Sequence, residues 1–304
     1  MITAKKGRLA LIGAVAIGAV VALAGCSSSS PLSSGSGGGG KIVVGYQAYY
    51  SDQIVAEAYA QALTNAGFSA STKSSGQRSA YLPALKAGGI NVIPDYSGGA
   101  LQFYEPSATA LSESQIETEL KSKLPSNLRI LTAAAATDQD TYSVTKAFSE
   151  KYGITSIGDL SKYPGTVTVG ANAEFATRPY GIPGLKSVYG VTGTVKAIAD
   201  SGGANTVAAL KSGQVQVADI YTSSPAIKAN DFVVLKDPKN MILPQNIIPI
   251  VDKNVNSKAA AVINKVQAKL TQDELVKLND ESVTTKEQPA TTAKKFLKSS
   301  GIVK

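Results

Sequence analysis

The chain has 304 residues, enough for about two domains at ~150 residues each, and its 43% hydrophobic and 17% charged content is that of a globular protein rather than a disordered one. It has no His, no Trp and a single Cys, which removes His-dependent nucleophilic catalysis, an imidazole base, an ordinary zinc site and any intrachain disulfide. The net charge of +8 shrinks to 27 cations against 22 anions once Lys5, Lys6 and Arg8 are set aside, and three arginines (Arg78, Arg129, Arg178) make a poor nucleic-acid footprint.

Residues 1–25 read as an export signal. Lys5, Lys6 and Arg8 form its basic segment, and Leu9 to Leu23 is a run of apolar and small residues too short and too rich in Gly and Ala to span a membrane. The run ends in Leu23-Ala24-Gly25-Cys26, which resembles the bacterial lipobox, so Cys26 is the expected lipidation site and new N-terminus. Residues 26–40 then form a Ser/Gly tether with a reach of roughly 20 Å. Gly35 to Gly40 fits a dinucleotide-binding glycine pattern, but these glycines precede a strand instead of following one, and low complexity explains the match.

From Lys41 the chain repeats itself at an offset of 125. Val44-Gly45-Tyr46-Gln47 corresponds to Val169-Gly170-Ala171-Asn172, and Ala84-Leu85-Lys86 to Ala209-Leu210-Lys211; the same register carries Tyr96 onto Tyr221. A period this long predicts two similar lobes rather than a solenoid. Each lobe reads as strand, helix, a shorter α/β stretch and strand. Ile42–Val44 and Val167–Val169 are the first strands, and Ile54, Ala58 and Ala62 mark the core face of the helix after the first of them. Helices containing Leu85 and Leu210 stop at Gly88 and Gly213. Such units predict parallel sheets covered by helices, with ligand bound outside the carboxyl ends of the strands. Arg129–Ala136 and Ile247–Val251 read as extended crossovers between lobes, and Ser257–Leu270, Thr271–Leu278 and Pro289–Ser300 as C-terminal helices. The expected division is lobe 1 at 41–138 with 247–304 returning to it, and lobe 2 at 139–246.

Several of the 13 tyrosines fall where a cleft belongs. Tyr96 and Tyr221 sit at equivalent strand ends, and Tyr142 follows Asp140 after the first crossover. Ring faces of this kind suit a quaternary ammonium, at ~0.5–2 kcal/mol for each cation–π contact, and Arg178 suits a carboxylate. On spacing alone the alternative stays open: the rings pack a lobe surface and Arg178 pairs with a nearby acid.

Glu174-Phe175-Ala176-Thr177-Arg178-Pro179-Tyr180-Gly181 with Tyr189-Gly190, Pro94-Asp95-Tyr96-Ser97-Gly98, and Asp219-Ile220-Tyr221-Thr222 together resemble the signature segments of the ProX-type osmoprotectant-binding proteins of ABC transporters. The resemblance runs from about Lys41 to Gly301. It implies an α/β, type II periplasmic-binding-protein fold: two similar lobes joined by two crossovers, with a ligand cleft between. By motif it makes Tyr96, Tyr142 and Tyr221 walls of an aromatic box, Asp140 its support and Arg178 the hold on the ligand's polar end. Gln47 and Gln245 complete the expected lining as departures, the first where the family has Lys and the second where a fourth Tyr is usual. Gly99 replaces a family Thr, and Tyr180 an Asp. Loss of the Lys favours choline over carboxylate-bearing betaines.

The function expected from the resemblance is a lipid-anchored, extracytoplasmic substrate-binding protein of an ABC importer. It captures choline, glycine betaine, carnitine or proline betaine and delivers it to a permease with ATPase subunits. It acts as a monomer, with no cofactor, metal, nucleic acid or catalysis of its own. The same scaffold binding an aromatic or other polar solute, for import or sensing, is the alternative. A glycosidase-like pairing of Asp95 with Asp219 is the enzymatic one, disfavoured because the repeat does not align them.

Overall fold

Two five-stranded sheets are built in one strand order, and that order follows the internal repeat. The computed structural model describes residues 40–47, 50–200 and 202–304. The export signal expected at 1–25, the lipid site expected at Cys26 and the tether up to residue 39 lie outside the described residues.

The first lobe runs β1 (Ile42–Tyr46), α1 (Tyr50–Asn65), β2 (Ala70–Ser74), α2 (Arg78–Lys86), β3 (Val92–Tyr96), α3 (Ser97–Tyr104), α4 (Glu113–Lys123) and β4 (Leu128–Ile130). The second runs β5 (Ser143–Val144), α5 (Lys146–Tyr152), β6 (Val167–Ala171), α6 (Ile182–Tyr189), β7 (Gly193–Ala197), α7 (Ala204–Lys211), β8 (Val217–Ala218), α8 (Ala226–Ala229) and β9 (Val233–Val234). The chain then returns through β10 (Ile247–Asp252) to α9 (Ser257–Gln267), α10 (Gln272–Thr284) and α11 (Pro289–Ser299).

The sheet orders are β2-β1-β3-β10-β4 and β7-β6-β8-β5-β9. β1 and β6 occupy equivalent places, each parallel to two neighbours. The sheets are nevertheless mixed, not parallel as expected. β10 enters the first sheet antiparallel to β3 and β4, and β5 enters the second antiparallel to β8 and β9. In both cases the odd strand comes from a chain passing between lobes, so it arrives running the opposite way. Ile247–Val251, expected as a connector, is therefore an internal strand. All six residues of β10 are buried, which is why the segment reads as a continuous apolar run.

The two passages between lobes lie side by side. Ile247 N donates to Ala136 O at 3.1 Å and Asp138 N to Gln245 O at 3.1 Å, with a bridge between Thr137 and Asn246. This antiparallel pair runs directly into the site described below.

Helix α1 buries Ile54, Ala58 and Ala62 together with Val55, Tyr59 and Leu63, in one core with Phe296 and Leu297 of α11. A second apolar cluster lies on the other face of the first sheet around Leu85, Ile93 and Ile250, and lobe 2 has its own around Val169, Phe175 and Leu185. The chain turns out of α2 and α7 at Gly88 (φ 78°) and Gly213 (φ 75°), left-handed positions at the same place in both repeats. Helix α10 continues to Thr284, past the expected end at Leu278, and Thr271 caps its start by accepting from Glu274 N at 3.2 Å. Among the described residues no helix is long and apolar enough to cross a membrane.

Candidate ligand-binding site

A cavity of about 490 Å³ opens where the carboxyl ends of β1, β3, β6 and β8 converge on the paired crossovers. This is the position at which open α/β sheets take ligands. Lobe 1 supplies Gln47, the start of α2 (Gln77, Arg78, Ser79), Tyr96, Gly99 and Phe103; the crossovers supply Asp138, Asp140 and Gln245. Lobe 2 supplies Asn172, Glu174, Arg178, Tyr180 and Tyr221. Gln47 and Asn172 face one cavity from equivalent positions, as do Tyr96 and Tyr221, because the repeat places each pair at matching strand ends.

The lobe-2 wall is a hydrogen-bonded cluster. The Tyr180 hydroxyl donates to Asp140 Oδ2 at 2.9 Å, and Arg178 Nη1 donates to the Tyr180 oxygen at 2.9 Å and pairs with Asp140 Oδ1 at 3.3 Å. Arg178 Nη2 binds Glu174 Oε2 at 2.7 Å, and the guanidinium lies 5.8 Å from the Tyr180 ring centre. Behind this cluster Asp219 accepts from Thr141 N at 3.2 Å. Burial first, and then the neighbouring Asp140, hold the Asp219 carboxyl well above the usual carboxylate range. The Tyr180 and Tyr221 phenols are pushed up by burial and then by Asp140, so both present neutral rings.

The lobe-1 wall is built around Asp95, fully buried at the end of β3. Arg78 Nη2 reaches Asp95 Oδ1 at 2.7 Å and its Nε reaches the same atom at 3.3 Å. At the crossover, Asp138 accepts from the Ser223 hydroxyl at 2.5 Å and from Tyr96 at 3.4 Å. Asn279 of α10 holds that serine through Nδ2 at 2.8 Å. Burial pushes the Asp138 carboxyl up to about 6, the Ser223 bond opposing it. Gln245 accepts from Gly99 N at 2.9 Å, and Gln47 N donates to the buried Asp52 carboxylate at 2.5 Å at the head of α1.

Six of the seven residues expected from the sequence, Gln47, Tyr96, Asp140, Arg178, Tyr221 and Gln245, line this cavity. Tyr142 does not. It is wholly buried in the lobe-2 core, 5.5 Å from the Phe175 ring, and its hydroxyl donates to the backbone carbonyls of Tyr180 (2.9 Å) and Gly181 (3.1 Å). It immediately precedes β5 and points into the lobe core; the ring at the cavity belongs to the residue whose carbonyl it holds, Tyr180. Arg78 and Asp138 were not anticipated as lining residues. Arg78 was visible as one of three arginines outside the signal, and Asp138 as an acid two residues from Asp140. Asp95 and Asp219 are held by separate partners, the first by Arg78 and the second beside Asp140.

Two sheets of one design meeting at an aromatic and charged cavity define a ligand-capturing protein of the periplasmic-binding-protein fold. A family model described as the substrate binding domain of ABC-type glycine betaine transport systems matches residues 40–299. The chain belongs to that family. The glycine betaine-binding protein YehZ of Escherichia coli (strain K12) is 30% identical over 184 residues, covering 57% of this chain and 60% of that one. The ergothioneine transport permease/ergothioneine binding protein EgtU of Helicobacter pylori (strain G27) is 23% identical over 225 residues, covering 72% of this chain and 40% of that one. The chain thus spans less than two thirds of the length of either curated relative. The crystal structure of a glycine betaine/carnitine/choline ABC transporter superposes with a TM-score of 0.72 at 22% identity, over 86% of this chain and 99% of that one, and is alike in fold.

Proposed function

We propose that this protein captures a quaternary-ammonium osmolyte in the cavity between its lobes and delivers it to the permease of an ABC importer. The observation that carries this is the clustering of three ring-bearing residues, Tyr96, Tyr180 and Tyr221, with the carboxylates Asp138 and Asp140 around one cavity. A methylated ammonium cannot donate strong hydrogen bonds. It is recognised by ring faces and by negative charge set behind them. Lobe closure about the paired crossovers then strips water from both, and only the closed, loaded form docks productively. In this reading the protein works as a monomer outside the cell membrane, held by a lipid on Cys26 and a Ser/Gly tether, and ATP hydrolysis belongs to its partner subunits.

The test is calorimetric titration of the purified chain with glycine betaine, choline, carnitine and proline betaine. Binding of at least one at micromolar Kd, weakened tenfold or more by Tyr221→Ala, is expected. No heat from any of the four would remove the osmolyte reading.

The same scaffold binding an aromatic or other polar solute is the second reading. At about 490 Å³ the cavity falls in the range of ordinary small-molecule sites. Ergothioneine, named for one relative, joins a trimethylammonium carboxylate to a flat ring, and adding it as a fifth titrant separates the two readings.

A further inference from the structure

We propose that Arg78 reads an anionic group on the ligand from lobe 1, and that Gly99 is the opening that admits its guanidinium. The preferred ligand is then a zwitterion carrying a carboxylate, rather than choline. This rests on the quaternary-ammonium reading of the cavity and names the ligand class within it.

Among the described residues that line the cavity, the cations are Arg78 and Arg178. They are committed differently. Both terminal nitrogens of Arg178 are engaged inside lobe 2, by Tyr180, Asp140 and Glu174. Arg78 spends Nε and Nη2 on the single acid Asp95, which fixes the plane of the fork and leaves Nη1 as its spare donor. A planar guanidinium held on one edge presents its other donors with little entropy left to lose.

Gly99 decides where that plane lies. A Cβ on residue 99 would stand 2.9 Å from Nη2, 3.1 Å from Nη1 and 3.2 Å from Cζ of Arg78, so the guanidinium rests flat in the space a side chain would take. The approach to Arg78 is cationic in a second way. It opens α2, and its N-cap Gln77 and the next residue Ser79 also line the cavity, so the helix's first N–H groups add partial positive charge there.

The cavity is therefore polarised. Asp138, Asp140 and the rings suit an ammonium, and Arg78 with its helix start suits an anion. A zwitterion meets both demands. A simple cation leaves Arg78 Nη1 without a partner when closure removes water, an unpaired donor that is costly to bury. Sites built around such a donor discriminate against analogues that lack the acceptor.

The experiment titrates the purified chain with glycine betaine and choline, in the wild type, in Gly99→Ala, and in the double variant Arg78→Gln with Asp95→Asn. The double variant keeps Asp95 from becoming a lone buried charge, and the choline affinity reports directly on whether the site is intact. We expect the wild type to favour glycine betaine, and both variants to bind it at least about tenfold more weakly while choline changes by less than about threefold. A wild type that favours choline, or variants in which both ligands weaken together or neither does, overturns the role of Arg78 and leaves the ammonium site standing. A wild type silent to both probes overturns the preference claimed here, while the quaternary-ammonium reading stands or falls with the four-osmolyte titration above.

Discussion

The hydroxyl of Tyr180 donates to Asp140 at 2.9 Å, tying the loop after β6 to the first crossover. Two segments that are 40 residues apart in the chain thus share one bond at the wall of the cavity. That bond holds the Tyr180 hydroxyl at the cavity wall, and the Arg178 guanidinium lies over the same ring, 5.8 Å from its centre.

Removal of the hydroxyl and removal of the ring should therefore be separable. Tyr180→Phe keeps the ring and is expected to weaken binding of a quaternary ammonium only a few-fold. Tyr180→Ala removes a cation–π partner worth ~1–2 kcal/mol in a desolvated site and should cost about tenfold or more. Titration of both variants with the best wild-type ligand checks the order.

Tyr142 gives the opposite pattern. Its hydroxyl serves two backbone carbonyls inside the core rather than the ligand. Tyr142→Phe leaves the buried Tyr180 carbonyl without this donor, while Gly181 O keeps its bond from Leu185 N, and should lower stability by about 1–3 kcal/mol. Ligand affinity should stay within a few-fold. Urea denaturation read beside calorimetry would show a stability loss without a matching affinity loss; a box wall would show neither or the reverse.

Asp138 makes the site sensitive to pH. Its carboxyl is pushed from an ordinary 3.8 up to about 6, chiefly by burial. As pH falls through 6 it takes up a proton, the cavity loses a negative charge, and affinity for an ammonium should drop. The stability of the empty protein moves the other way. A carboxyl whose folded value is raised stabilises the fold below the unfolded value and loses that contribution as pH rises from about 4 to about 6. Asp138→Asn should thus stabilise the ligand-free protein at pH 7.5, by up to about 3 kcal/mol. It should also flatten the pH dependence of binding between pH 5 and pH 7.5.

Gly181 packs too closely to carry a side chain. A Cβ there would lie 1.8 Å from the carbonyl oxygen of Phe175. That oxygen is backbone and cannot step aside, so Gly181→Ala should displace the Arg178–Tyr180 loop. We expect a stability loss of about 1–3 kcal/mol or more, with binding largely abolished. Thermal melts with and without ligand test both halves.

The repeat, the strands and the strand-end residues were legible in the sequence because they rest on local chemistry. β1 and β6 came out of apolar runs in one register, the turns after α2 and α7 out of glycines at equivalent positions, and Tyr96 and Tyr221 out of the same offset. Local pattern does not say which lobe a segment joins. β10 reads as a connector by itself and becomes an internal strand only because two sheet neighbours cover it. Nor does it say which way a side chain turns: Tyr142 and Tyr180 both pack against Phe175, and they part at the hydroxyl, which serves backbone carbonyls in the core for Tyr142 and Asp140 at the cavity for Tyr180. Arg78 meets Gly99 and Asp95 only after β3 and α2 have docked, since the pairing of a long side chain with a gap and a buried charge is a property of packed space rather than of spacing along the chain.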